Sequence, residues 1–232
     1  QAKAAVQLID EGNTIPFIAR YRKEMTGALN DETLRNLHER LLYLRNLEEK
    51  KEQVINAITD QGKMTEDLKK KILSAETLVA VDDLYRPYRP KKQTRATKAK
   101  EKGLEPLANI LLLQKTTKSM EEEAAAFVNA EKGVANAKEA IAGAKDIIAE
   151  MIADMADYRK SIRNCTMKQG SLVVKAKDEK AESVYEMYYD FREPLSKVTG
   201  YRVLAINRGE KEKFLTVKVE APDVQIVNAL NK

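Results

Sequence analysis

The sequence predicts a mainly α protein: a multi-helical domain with one long helix, then a small antiparallel β element near the C-terminus. Three observations carry this reading. Helix formers (Ala, Leu, Lys, Glu) dominate, while the chain has only 9 Gly, 6 Pro and 6% aromatic residues. Capping residues stand before apolar runs of helical period, again and again, from Thr14 to Asn136. Alternating, β-branched segments occur only after Gly170, in SLVVKAK and FLTVKVE.

The elements follow in order. Ala2–Asp10 is amphipathic, with Val6, Leu8 and Ile9 on one side, and Gly12 stops it. Thr14 is a candidate N-cap for a helix with Pro16 in its first turn, where the missing N–H costs nothing. That helix is expected to run through FIARYRKEM to Gly27. Asn30 or Asp31 caps a long helix reaching Gln61, with Gly62 as its stop. At helical rise it spans about 46 Å. Leu37, Leu41 and Leu44 are expected to be buried, and the charged run from Glu48 to Glu52 to be a solvated stretch of a strut.

Thr65 caps a shorter helix through Leu73, and Thr77 another through Leu84. Pro87 and Pro90 then impose an extended or turning path, because each disfavours helix in the residue before it. Thr94 caps RATKAKEK, Gly103 closes it, and Pro106 opens LANILLLQ. Ser119 caps MEEEAAAFVNAEK, whose three glutamates suit a helix N-terminus. From Asn136, Ala and Ile recur at helical spacing (Ala137, Ile141, Ala144, Ile148), so close helix packing is expected there. Asp154 or Asp157 starts one more helix, ending near Gly170. YRVLAINRG, between the two strands, reads as helix with Gly209 as its C-cap. The shift in pattern divides the chain into a helical domain over 1–168 and a small α+β extension over 169–232.

Composition narrows the class. A chain of 232 residues, 43% hydrophobic and 33% charged, can bury a core and is not of disordered type. Cys165 is the only cysteine, so no internal disulfide forms, and a cytoplasmic home is expected. No apolar run approaches membrane-span length, so no membrane partner is expected. No signal peptide is visible, and the chain opens at Gln1 inside a helical pattern, as a piece of something longer would.

Charge is unevenly placed. Arg86 to Lys102 holds eight basic residues and one acidic, a local charge of +7 in a chain whose total is +5. From Thr116 onward, 19 basic residues balance 19 acidic. Such a concentration is the footprint expected of a surface that meets phosphate. Arg86, Arg89, Lys91, Lys92, Arg95 and Lys98 are the candidate contacts. Tyr85 and Tyr88 lie among them, as packing anchors for the proline-stiffened loop or as stacking platforms, with packing preferred. The rival reading pairs Arg86 and Arg89 internally with Asp82 or Asp83. Arg20, Arg22 and Lys23 form a second candidate cluster, with Arg20 and Lys23 on one helical face. Its rival has one of these arginines serving a core carboxylate.

Catalytic constellations are missing. His38 is the only histidine, which excludes a His-dependent triad or a multi-histidine metal site. Asp82 and Asp83 are adjacent, and adjacent helix positions point about 100° apart, so they do not converge on one proton or ion. Cys165 has Arg163 and Lys168 near it in sequence but no base in view, which favours a structural role. No glycine-rich phosphate loop is present. The expectation is a protein that is not an enzyme and takes no cofactor.

Two long segments go beyond composition. TIPFIARYRKEMTG, Thr14 to Gly27, and DLYRPYRPKKQTRATKAKEKGLEPLA, Asp83 to Ala108, resemble the signature stretches of the bacterial Tex family of RNA-binding transcriptional accessory proteins. LHERLLYLRNLEEKKEQVINAITDQGKMTEDLKKKI and YDFREPLSKVTGYRVLAINRGEKEKFLTVKVE follow the same family pattern, so the resemblance covers essentially the whole chain. It implies an N-terminal multi-helical region with helix-turn-helix-like elements. It also implies an RNase H-like domain, helix-hairpin-helix motifs and an S1 domain in full-length members, none of them present here. A eukaryotic elongation factor and histone chaperone shares that architecture. The expected role is a helical scaffold with a basic surface that binds RNA or DNA weakly and without sequence preference. The alternative is a module that docks on the transcription machinery, through the long helix.

Overall fold

The computed structural model describes residues 1–90 and 92–231. The chain divides into two compact units, Gln1–Arg89 and Pro90–Lys232.

The first unit is helical: α1 (Ala2–Asp10), α2 (Ile15–Tyr21), α3 (Lys23–Thr26), α4 (Asp31–Asp60), α5 (Glu66–Leu73) and α6 (Leu78–Tyr85), closed by a 3-10 turn over Arg86–Tyr88. Three of the four caps read from the sequence form, while Thr14 precedes α2 without a side-chain capping bond. The Asn30 side chain accepts from the Thr33 N–H at 2.8 Å, and the Thr65 and Thr77 hydroxyls accept from the Leu68 and Ala80 N–H groups, each at 3.2 Å. Gly12, Gly27 and Gly62 take φ of +85°, +65° and +66°, the left-handed conformation that ends a helix.

α4 is one continuous helix of 30 residues, about 45 Å long. It serves two cores. Leu34 packs with Ala5, Leu8 and Ile18 near one end. Leu47, Val54 and Ile58 pack with Ile72 and Val81 towards the other. The expected burial is therefore corrected in its middle: Leu37 and Leu41 are only half-buried, and Leu44 is 40% exposed. The charged run is corrected too. Glu48, Glu49 and Glu52 are exposed, but Lys51 is only 6% exposed. The two differences have separate causes: the middle of α4 lies between the two cores, whereas Lys51 falls on the buried stripe 47–51–54–58, with α5 packed alongside.

Another helix differs from expectation. The segment after Pro16 breaks at Arg22, whose backbone (φ −129°, ψ 30°) leaves the helical region. The Arg22 carbonyl accepts from the Met25 and Thr26 N–H groups, both at 3.2 Å, and from the Thr26 hydroxyl at 3.2 Å, which starts the turn of α3. Thr26 is thereby fully buried. Arg86, before Pro87, is helical rather than extended (φ −53°, ψ −42°), while Arg89, before Pro90, is extended as expected.

The second unit contains α7 (Arg95–Glu101), α8 (Glu105–Leu113), α9 (Met120–Ala125), α10 (Ala137–Asp154), α11 (Ala156–Gln169), β1 (Ser171–Ala176), β2 (Asp190–Pro194), α12 (Gly200–Lys211), β3 (Leu215–Glu220) and α13 (Asp223–Leu230). α10 packs against α7, α8 and α9 around Ala99, Leu104, Leu107, Ala140, Ala144 and Ile147. Small residues permit this approach: a Cβ on Gly143 would come within 2.5 Å of Leu104 Cδ1 and 3.2 Å of Ala99 Cβ. α9 has the full capping box between Ser119 and Glu122 but ends at Ala125, well before the expected stop. The chain turns instead through an Asn129–Val134 bridge, with Gly133 at φ +71°, and buries Val134 against α10.

The sheet is antiparallel in the order β2-β1-β3, with Val174 opposite Phe191 on one side and Val217 on the other. The expected β1–β3 pair is present; β2 and α13 go beyond it. α12 forms over YRVLAINRG, but Gly209 is an interior, buried residue rather than the cap, and Lys213 takes the left-handed φ of +68°. Gly209 is glycine for closeness: a Cβ there would lie 2.6 Å from Leu215 Cδ1 and 3.0 Å from Tyr185 Cγ. Tyr185 donates to Glu212 Oε2 at 2.9 Å, and burial first, then that bond, raises its phenol above the ordinary tyrosine range.

Candidate nucleic-acid interface

The first basic cluster sits where α2 meets α3. Arg20 and Lys23 are exposed and Arg22 is half-buried. The break at Arg22 means that Arg20 and Lys23 do not share one helix, so the expected common face is not formed by helical periodicity. Phe17 and Tyr21 stand four apart on α2 with ring centroids 5.3 Å apart. The Arg22 guanidinium lies 5.2 Å from the Phe17 centroid and that of Arg20 5.9 Å from the Tyr21 centroid. Arg22 also donates to the Tyr21 carbonyl at 3.4 Å. Among the described residues none of Arg20, Arg22 and Lys23 has a carboxylate within ion-pair distance. Glu24 is the one acid between Thr14 and Gly27. The sequence reading named the cations and missed the rings between them, although Phe17 and Tyr21 stand at a helical spacing.

Arg86 and Arg89 also belong to the first unit, and both are exposed. Arg89 pairs with Asp82 at 3.0 Å and lies 5.5 Å over the Tyr85 ring. Lys50 reaches the same carboxylate at 3.7 Å. The internal pairing weighed for this arginine is therefore present. Tyr85 and Tyr88 pack against the core of α4, α5 and α6, and the Tyr88 carbonyl accepts from Gln61 Nε2 at 2.9 Å. These rings anchor the proline turn.

Lys91 lies outside the described residues. Lys92, Arg95 and Lys98 belong to the second unit and are exposed. The Thr94 hydroxyl caps α7 by accepting from the Thr97 N–H at 3.0 Å. Ala96 and Ala99 bury one side of this helix, so Arg95 and Lys98, three apart, are turned outward. They border an open groove of about 260 Å³ between α7 and α10, floored by Ala99, Leu104 and Ala142. Lys102 joins them there, donating to the Gly133 carbonyl at 2.8 Å. α10 contributes Glu139 and Asp146, and Asp146 approaches Arg95 at 3.5 Å. The groove is cationic on one helix and acidic on the other, which moderates its attraction for phosphate.

Elsewhere, Cys165 is half-buried on α11. Among the described residues no three His, Cys, Asp or Glu side chains gather as metal ligands would, and no helix is long and apolar enough to cross a membrane.

Comparison with known proteins covers both units. The profile of the Tex-like protein N-terminal domain matches residues 1–59, and the Tex central region-like profile matches residues 115–231. The chain is 46% identical over 99% of its length to the uncharacterized protein YdcI of Bacillus subtilis, covering 32% of that protein. It is 41% identical over 95% of its length to the transcriptional accessory protein Tex of Neisseria gonorrhoeae, covering 29% of it. It is 34% identical over 94% of its length to the human S1 RNA-binding domain-containing protein 1, covering 22% of it. The chain thus spans about a third or less of the length of these relatives.

Proposed function

This chain belongs to the Tex family, and from that premise we propose that it is the helical scaffold of a transcription accessory protein, carrying a basic surface that binds nucleic acid weakly and without reading sequence. The observation that carries the proposal is the likeness across both units to relatives named for transcription and for RNA binding. In a protein of their length, the scaffold would hold further nucleic-acid-binding modules in register. Lys92 and Lys98 support the basic surface, being exposed and without an ion-pair partner among the described residues. Contacts of such cations with phosphates set position without carrying sequence information, so affinity would be salt-sensitive and indifferent to sequence. Catalysis and cofactors are no part of this reading, and we place the protein in the cytoplasm.

Gel shifts of the chain with single- and double-stranded RNA and DNA at two salt concentrations test it. Binding that weakens by about 0.7 to 0.9 log units per log unit of salt for each phosphate neutralised is expected. No shift at low salt would remove the nucleic-acid part.

A second reading has its own observation. Leu42 and Leu44 are 47% and 40% exposed in the middle of α4, and apolar side chains there suit a docking surface for the transcription machinery. Charged substitutions at both positions would then abolish association with RNA polymerase while leaving oligonucleotide binding unchanged.

A further inference from the structure

The chain holds several arginine–tyrosine pairs, and they differ in what else holds them. Arg40 lies 5.0 Å from the Tyr43 centroid, but Tyr43 is half-buried and its hydroxyl accepts from the Leu78 N–H. Arg89 over Tyr85 is tied to Asp82, and Tyr85 packs into a core. Arg202 lies 5.7 Å from the Tyr201 centroid, but its guanidinium is paired with Glu193. Only at Arg20 and Tyr21 are both conditions lifted among the described residues. Tyr21 is 56% exposed, and Arg20 has no carboxylate partner.

The surroundings extend this difference. Tyr21 has Phe17 on one side at 5.3 Å, so its ring is held in place while more than half of the residue meets solvent. Arg22 covers Phe17, and Lys23 begins the next turn. A ring fixed by a neighbouring ring, flanked by cations with no internal counter-charge, matches the chemistry of an unpaired nucleotide. Its base offers a π-face and its phosphate a charge. A duplex offers the phosphate but keeps its bases stacked.

We propose that Tyr21, backed by Phe17 and flanked by Arg20 and Lys23, is a stacking platform for an unpaired base of single-stranded nucleic acid. This rests on the nucleic-acid reading above and goes beyond it by naming the strand state and the ring that recognises it. The platform belongs to the α2–α3 junction, not to the proline turn, where tyrosines are interleaved with arginines but serve as packing.

The test uses the 232-residue chain and single strands of about 12 nucleotides, carrying 2-aminopurine, with a duplex of the same sequence in parallel. The chain should quench 2-aminopurine in the single strand. Tyr21→Ala should remove the quenching and lower single-strand affinity about five- to a hundredfold, with duplex affinity and the helical circular dichroism unchanged. Tyr21→Phe should retain both quenching and affinity. Tyr201→Ala, an exposed tyrosine beside an arginine already paired, should change neither. Arg20→Gln and Lys23→Gln should each reduce the single-strand salt slope by about 0.7. If the chain binds both strand states and Tyr21→Ala has no effect, the platform is overturned and the general basic surface stands. If Tyr21→Ala leaves oligonucleotide binding intact but loses a protein captured from lysate, the junction is a protein-docking site and the platform is likewise overturned. Failure to bind any oligonucleotide at low salt overturns both readings.

Discussion

Lys51 Nζ donates to the carbonyl oxygen of Leu73 at 2.9 Å, so a lysine in the charged run of α4 closes the C-terminal end of α5. The last carbonyls of a helix lack partners within it. Lys51 supplies one, and Glu48, accepting from the same ammonium at 2.8 Å, balances the charge. Lys51→Met keeps the length of the side chain and removes the donor. It should lower unfolding stability by about 1–3 kcal/mol, since a hydrogen bond from a charged and buried donor is lost. Glu52→Gln, on the exposed part of the same run, should stay within about 0.5 kcal/mol. Urea unfolding of the two variants checks this, and equal effects would refute it.

A second prediction concerns acid. Asp10 of α1 and Arg45 of α4 meet through two bonds, Nη1 to Oδ1 and Nη2 to Oδ2, each 2.8 Å. The hydrogen bond from Arg45 holds the Asp10 carboxyl below the ordinary carboxylate range. A carboxyl depressed on folding contributes stability above its unfolded pKa, and that contribution is lost as pH falls through the folded value. Thermal unfolding should therefore show a loss between about pH 5 and about pH 2 that is smaller in Asp10→Asn. Identical acid profiles for parent and variant would show that the fork contributes nothing.

Gly209 provides a third. Alanine is the better helix former by about 0.8–1 kcal/mol, so propensity alone favours Gly209→Ala. The contacts with Leu215 and Tyr185 point the other way. Overpacking should win, with a net loss of about 1–2 kcal/mol and loosening of the sheet core. Stabilisation would show that Leu215 relaxes without strain.

The basic segment yields the fourth. Lys91, Lys92, Arg95 and Lys98 replaced together by Gln should leave the circular dichroism unchanged, because Ala96 and Ala99, not the charges, hold α7 in place. Oligonucleotide affinity should fall to a similar degree for unrelated sequences, with a flatter salt dependence. Arg89→Gln should instead cost stability, by no more than about 1 kcal/mol for an exposed pair with Asp82. Unchanged affinity and slope in the quadruple variant would make this segment structural.

Most of the fold was legible because its signals are local. Asn30, Thr65, Thr77, Thr94 and Ser119 each cap the helix they were read to cap, and glycines end several. What escaped depends on partners distant in sequence. No residue near Arg22 announces a break; it accompanies the burial of Thr26 on α3, which packs against α1. Gly209 resembles a cap until Leu215 is packed onto it. β2, read as DFREP, has a proline and three charges, and it becomes a strand only by pairing with β1 along an edge. The site was legible as a set of cations. The pairing of Arg89 with Asp82, its near neighbour in sequence, was among the readings weighed; that of Arg95 with Asp146 was not, because Asp146 lies on α10, far along the chain.

The division of α4 between two cores sets how the first unit comes apart. Leu34 is locked to α1 and α2, and Leu47 to Ile58 are locked to α5 and α6. Release of α1 and α2 would uncover Leu34 without disturbing Ile58. The helix therefore joins two cooperative blocks along one unbroken backbone, and each has its own free energy of opening. Amide exchange along it should step between two levels of protection near residues 42–44, where no kink or proline marks a border.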